Sequence, residues 1–335
     1  MGTQASPHPS LLAFLITILI LGNSTILFVY HIVFYLHNSS STGVRYSSST
    51  VNREMDTRFW GPSGWKLLHL VCASYEYTAE SAISYARFFE TIPYILPCKY
   101  CRASLTDYYR QHPYSIGGII TNGRNDMNPS LDLPKWMYTI HGCVNAKLKK
   151  QGLQGGSVVP SPPFAQVKKT YTNLLKCPWD EQLALLWDFL FAVAYHHPTE
   201  KALFAKPMPE CPKDVHRCTD LCEKNKWNVL PLKDRVEWFR RFWFFLPAVL
   251  PAEMATNWLN QQKKNPPTLS TRQSSLAWLW RMRCGLDAHF KDPYTSICNK
   301  IATYSSDCGT QKKGVTCRKH KTLRKTYTKK RRHIL

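Results

Sequence analysis

Pro97-Cys98-Lys99-Tyr100-Cys101-Arg102-Ala103-Ser104-Leu105-Thr106-Asp107-Tyr108-Tyr109-Arg110-Gln111-His112-Pro113 is the stretch from which the rest of the chain is read. Proline stands just before Cys98 and again at 113, so the residues between, Cys98 to Gln111, predict one helix bounded at both ends. The two cysteines then lie C-x-x-C at the helix N-terminus, where the helix dipole and Lys99 favour a thiolate on the first sulfur. A pair so placed can close a small-loop disulfide, accept an incoming thiolate and resolve the mixed disulfide at one place. Half of a zinc site, or two buried thiols, are the alternatives for the motif alone. No strand precedes it, which argues against a thioredoxin-like βαβ arrangement.

Helical patterning continues outward. Trp65, Leu68, His69, Cys72 and Tyr75 fall at helical spacing behind Ser63, taken as the cap of a first helix. Ala79 to Ile92 predicts a second helix, ending near Pro93. Residues 114–130 hold Gly117-Gly118, Asn122-Gly123 and Asn128-Pro129 and read as a loop. Asp132 caps a fourth helix with Pro134 in its first turn and Trp136, Ile140, Val144 and Leu148 along one face. After a Gly/Pro-rich break at 152–163, Trp179 to Tyr195 predicts a fifth. No alternating strand pattern interrupts residues 56–197, which read as all-α. Farther on, Arg235 to Leu246 and Leu276 to Cys284 look helical.

The ends differ in character. Leu11 to Leu36 is almost wholly apolar and lacks Lys, Arg, Asp and Glu, long enough for the roughly 20 residues that cross a bilayer. It is expected to be an uncleaved single-pass anchor, because no basic region precedes it. Basic residues follow the run, so the positive-inside rule places the bulk of the chain in the cytosol. The formal charge of +22 is concentrated partly in residues 317–335, a basic tail suited to anionic lipid, acidic protein or nucleic acid. The expected organisation is an anchor at 1–37, a Ser-rich linker at 38–55, a helical domain at 56–197, a C-terminal module at 198–316 and the tail at 317–335. Twelve cysteines point to disulfide, metal or redox chemistry. Cys211, His216, Cys218 and Cys222 make a loose zinc candidate, so a membrane-tethered zinc-binding or structural adaptor is the alternative to a redox enzyme.

Two further pairs bear on function. Trp65 and His69 are four apart on one helix, as are His141 and Asn145 on another, and residues at i and i+4 share a face. Two helices that each present a planar ring and a hydrogen-bonding group can clamp an aromatic cofactor; either pair alone is more often ordinary core.

Taken together, Trp60-Gly-Pro-Ser-Gly-Trp65-Lys-Leu-Leu-His69, Leu96-Pro97-Cys98-Lys-Tyr-Cys101-Arg102 and Trp136-Met-Tyr-Thr-Ile-His141-Gly-Cys-Val144-Asn145-Ala-Lys147-Leu148 resemble the Erv/ALR family of FAD-linked sulfhydryl oxidases, in the style of large DNA viruses. The resemblance covers residues 56–197. It implies a four-helix bundle plus a short fifth helix, followed here by a mostly helical extension. FAD is the implied cofactor. Cys98 is implied to exchange with the incoming dithiol, and Cys101 to lie against the flavin. Trp65, His69, Tyr75, His141 and Asn145 are implied to line the flavin or adenine, with Lys147 and Lys150 at the pyrophosphate. No metal is implied. Protein dithiols, or a thioredoxin-like carrier, would be the substrates, oxygen the acceptor, and a homodimer through the first helices the assembly, on a cellular or virion membrane. A shuttle pair is a further family habit, with Cys218–Cys222 or Cys308–Cys317 as candidates. The chain departs from its relatives at Tyr138, where many carry a cysteine that bridges to one near the fifth helix. Cys177 is present downstream, and Cys143 is out of helical phase to replace the partner.

Overall fold

A computed structural model describes residues 54–114, 132–150, 161–198 and 232–306. The expected anchor, most of the linker, the 218–222 and 308–317 cysteines and the basic tail lie outside them. Among the described residues no helix is long and apolar enough to cross a membrane. They are helical except for one minimal ladder. β1 (Glu54–Met55) pairs antiparallel with β2 (Ser305–Ser306), Met55 opposite Ser305.

The helix that starts the fold, α1 (Thr57–Ala73), is capped by Asp56, not Ser63: the Asp56 carboxylate accepts from Arg58 N at 2.9 Å. Ser63 sits inside α1 because its hydroxyl is used elsewhere. It donates to Leu185 O at 2.8 Å and accepts from Phe189 N at 3.1 Å. Those two backbone groups flank a break in the expected fifth helix, which is two pieces, α6 (Trp179–Ala184) and α7 (Trp187–His196). The neighbouring Gly64 lets the Phe189 ring come close, since a Cβ there would lie 3.0 Å from it. The second helix, α2 (Ala79–Ile95), begins at a Thr78–Ser81 capping box and runs past Pro93 to Ile95. Next come α3 (Lys99–Gln111), with Cys98 as its N-cap, and α4 (Leu133–Lys150), where Asp132 accepts from Lys135 N at 3.0 Å, as the sequence predicts.

A helix with no sequence counterpart, α5 (Phe164–Leu174), follows. Beyond 232 lie α8 (Leu232–Val249), α9 (Ala252–Lys264), α10 (Arg272–Leu286) and α11 (Tyr294–Thr303). They share one hydrophobic core with the first helices. The long α8 lies along α2, with Tyr94 stacked on Trp238 at 3.9 Å and Phe88 against Phe242. That flank of α2 is therefore covered within the chain. On the other side α10 packs on α7, and Trp187, Trp243, Trp258 and Trp278, all fully buried, meet where α7 to α10 converge. Helices on both sides of residue 197 thus pack in this one core. Indole rings bury large apolar area, which is why they dominate this junction.

Candidate active site

Cys98 and Cys101 form a disulfide across the first turn of α3, with Cα atoms 5.1 Å apart. Cys98 Sγ also accepts from Cys101 N at 3.2 Å, so the sulfur stands where an N-cap oxygen would, at the positive end of the helix dipole. Cys98 is fully buried and Cys101 partly exposed. Lys99 lies over the Tyr100 ring, 5.3 Å from its centroid. The Cys98–Cys101 bond is the sole disulfide among the described residues; Cys72, Cys143, Cys177, Cys284 and Cys298 are thiols. At Tyr138 the hydroxyl donates to Pro162 O at 3.1 Å and the ring packs on Phe164, so no bridge to Cys177 is made there.

The second component is a ring cluster built by α1, α4 and α5. His69 Nε2 and His141 Nδ1 are 3.0 Å apart. The Trp65 indole stacks on His141 at 3.8 Å and 9°, and Tyr171 stacks on the His69 ring at 4.9 Å and 17°. Burial pushes His69 down to about 3, helped by His141 beside it, and His141 down to about 4. Both imidazoles are therefore neutral at pH 7, and a single N–H lies between them. Beside them is a small concavity of about 50 Å³ lined by His69, Ala73, Pro134, Phe164, Val167, Lys168, Tyr171 and Thr172.

Trp65, His69 and His141 are thus brought together as expected, but they close on one another: no slot for a third ring lies between Trp65 and His141. Tyr75 is not with them. It lies past the end of α1 and packs on Tyr85 at 4.6 Å. Asn145 donates to Ser161 Oγ at 3.3 Å, and Lys150 is exposed at the end of α4. Lys147 hydrogen-bonds Ser104 on α3, one turn after Cys101; burial lowers its pKa, against the pull of Asp107. Lys147 is six residues after His141, about 9 Å along the helix, so α4 ties the ring cluster to the cysteine helix. Tyr171 is a site residue that the sequence reading missed, although Phe164, Val167, Tyr171 and Leu174 stand at helical spacing.

Neutral imidazoles, an indole, a phenol and nearby ammonium groups suit the flat rings and phosphates of a flavin dinucleotide. At about 50 Å³ the concavity falls well short of the roughly 300–1,000 Å³ usual for ligand pockets, so as it stands it does not hold the cofactor.

Residues 62–161 match the family model described as Erv1 / Alr family. That stretch is similar to the Erv1 / Alr family. The matched stretch holds Cys98, Cys101, His69, His141 and Trp65, and leaves α5 to α11 outside it. Among named relatives, the mimivirus protein "Probable FAD-linked sulfhydryl oxidase R368" (Acanthamoeba polyphaga mimivirus) is 31% identical over 93 residues, 27% of this chain and 59% of its own. The "FAD-linked sulfhydryl oxidase" of African swine fever virus is 29% identical over 98 residues, 28% and 70% of the two chains. The yeast "Mitochondrial FAD-linked sulfhydryl oxidase ERV1" is 29% identical over 97 residues, 28% and 46%. The match thus spans little more than half the length of the mimivirus relative. No solved structure matches.

Proposed function

We propose that the chain is an FAD-dependent sulfhydryl oxidase that makes disulfides in protein thiols and passes the electrons to oxygen. The carrying observation is the Cys98–Cys101 disulfide at the N-terminus of α3, tied through Lys147 on α4 to the helix that presents His141. A substrate thiolate attacks one sulfur of this pair, the other sulfur leaves, and a mixed disulfide forms. The second substrate thiol then displaces the remaining sulfur, so the substrate leaves oxidised and Cys98 and Cys101 are left as a dithiol. FAD, when bound, supplies the two-electron acceptor that returns the pair to its disulfide, with oxygen reduced to hydrogen peroxide.

The residues that would hold the cofactor are Trp65, His69, His141 and Tyr171 at its rings and Asn145, Lys147 and Lys150 along α4. Their contribution is orientation and a dry, neutral wall. With both imidazoles uncharged, the cluster can donate or accept a hydrogen bond without placing a positive charge beside the rings. The helix N-terminus favours thiolate on the reduced pair. Cys98 as the exchanging sulfur and Cys101 as the one facing the flavin is the order proposed. Single-cysteine variants that trap a substrate thiol as a mixed disulfide decide it. Membrane attachment through residues 11–36 is proposed from their apolarity, and alkaline extraction of membranes tests it.

The test of the function is oxygen consumption by the purified full chain with dithiothreitol, beside Cys98→Ala and Cys101→Ala. A yellow wild type that consumes oxygen, with both variants inactive, is expected. A colourless, zinc-loaded, inactive protein overturns the reading.

A further inference from the structure

The chain that leads into the disulfide has three of its carbonyls, those of Tyr94, Leu96 and Pro97, each held by a different part of the molecule. Arg235 on α8 donates from Nη2 to Tyr94 O at 3.2 Å. Arg102, next to Cys101, donates from Nη1 to Leu96 O at 2.8 Å and reaches His196 Nε2 at 3.1 Å. Since a guanidinium only donates, His196 Nε2 is the acceptor there. Met55 N donates to Pro97 O at 2.8 Å. Met55 is itself held from the far end of the fold, because β1 pairs with β2 and Asp56 N donates to Tyr304 O at 2.9 Å. Phe59 and Tyr304 stack at 4.3 Å and 12° across the same seam. Both guanidinium groups are buried, Arg102 wholly and Arg235 to within 2%. Charge-assisted bonds of this kind are short of water competition, and losing one strands a buried carbonyl.

Two of these three donors, Met55 and Arg235, lie outside the matched residues 62–161. We propose that residues 232–306 act as a positioning element for the redox pair: through Arg235 on Tyr94 O, and through the β1–β2 seam behind Pro97 O, they hold the 94–98 segment, the end of α2 and the loop after it, in the geometry of the closed disulfide and so set its reduction potential. The proposal rests on the reading of Cys98–Cys101 as redox-active, but not on flavin or oxygen. A loop fixed in the shape that the disulfide needs favours the oxidised form; a released loop lets the sulfurs part and favours the dithiol. Arg235 is a positioning residue here, acting through the backbone that carries Cys98.

The experiment equilibrates the full chain in glutathione buffers, in which two glutathione thiols reduce the Cys98–Cys101 disulfide to the dithiol and leave as one glutathione disulfide. Acid quenching, alkylation and mass spectrometry then give the ratio. Arg235→Met is expected to move the equilibrium toward the dithiol about tenfold, a potential about 30 mV less negative for a two-electron couple. Arg235→Lys keeps a donor and is expected to stay nearer the wild type. Leu279→Ala, which opens a cavity in α10 away from the loop, is the control for general destabilisation and is expected to leave the ratio unchanged. Tyr304→Ala removes a half-exposed ring from the seam and tests it without threatening the core, with an expected shift of about threefold in the same direction, about 15 mV by the same relation. If Arg235→Met does not fold, Tyr304→Ala decides between the outcomes. Ratios for Arg235→Met and Tyr304→Ala within twofold of wild type, or no different from Leu279→Ala, overturn the proposal. A wild type that lacks flavin instead sinks the proposed function and leaves these ratios meaningful.

Discussion

Mild acid should destabilise this protein, because it buries histidines in the neutral form. His69 is 4% exposed and held down to about 3, and His197 is fully buried and likewise held down to about 3, by burial first and then by the charges of Arg240, Arg272 and Arg235. In the unfolded chain both return to about 6.5. The unfolded state therefore binds more protons at mildly acidic pH, and stability falls as pH drops from about 6.5 toward the folded values. From pH 7 to pH 5 each such histidine forfeits about 2 kcal/mol, so the two together cost about 4 kcal/mol, against a typical total of about 5–15 kcal/mol. His141 and His196 shift in the same direction and add to the loss. The assay is urea unfolding followed by tryptophan fluorescence at pH 7 and pH 5, for wild type and His197→Gln. The glutamine keeps an acceptor for the Trp243 indole N–H, which donates to His197 Nε2 at 3.2 Å. The variant should lose about half of the two-histidine pH dependence, about 2 kcal/mol. A wild type equally stable at both pH values, or a variant with the full wild-type slope, would refute the reasoning.

Asp56→Ala should cost about 1–2 kcal/mol in urea unfolding, because it removes the cap acceptor of α1 and the partner of Arg58. Gly64→Ala gains about 1 kcal/mol of helix propensity but presses a methyl on the Phe189 ring at a cost of about 1–3 kcal/mol, so a small net fall in thermal midpoint is expected. Tyr171→Leu removes the ring stacked on His69, a contact worth about 0.5–1.5 kcal/mol. Flavin release measured by fluorescence should rise, because Tyr171 lines the concavity beside His69, and unchanged retention would remove α5 from the cofactor wall.

The sequence was most readable where local chemistry sets the structure. Asp132 announces α4 by its cap, and Pro97 with the C-x-x-C announces α3. The i, i+4 spacing places Trp65 and His69 on one face of α1, and both rings meet His141 there. Tertiary effects were hidden. Leu185 and Leu186 carry no breaker, and α6 and α7 part there around the hydroxyl of Ser63, 122 residues away from Leu185 in the chain. The short α5 carries Phe164, Val167, Tyr171 and Leu174 at helical spacing, a short signal beside a Gly/Pro-rich break, and none of its residues is fully buried. Pro162-Pro163 before it was the available signal for a helix start. Nothing in the pattern of either helix foretells that α8 lies along α2, or that Arg235 reaches Tyr94 O, since periodicity tells which face is buried and not against what. The same limit explains Tyr75: its spacing continued the face of α1, but the helix ends at Ala73 and the ring turns to Tyr85.

The most direct test of the account is the visible absorption spectrum of the purified full chain, recorded before and after anaerobic dithiothreitol. The account predicts a bound-flavin spectrum that bleaches in the wild type and stays unbleached on the same timescale in Cys101→Ser. A protein without flavin absorbance, or one whose flavin bleaches equally fast without Cys101, would contradict it.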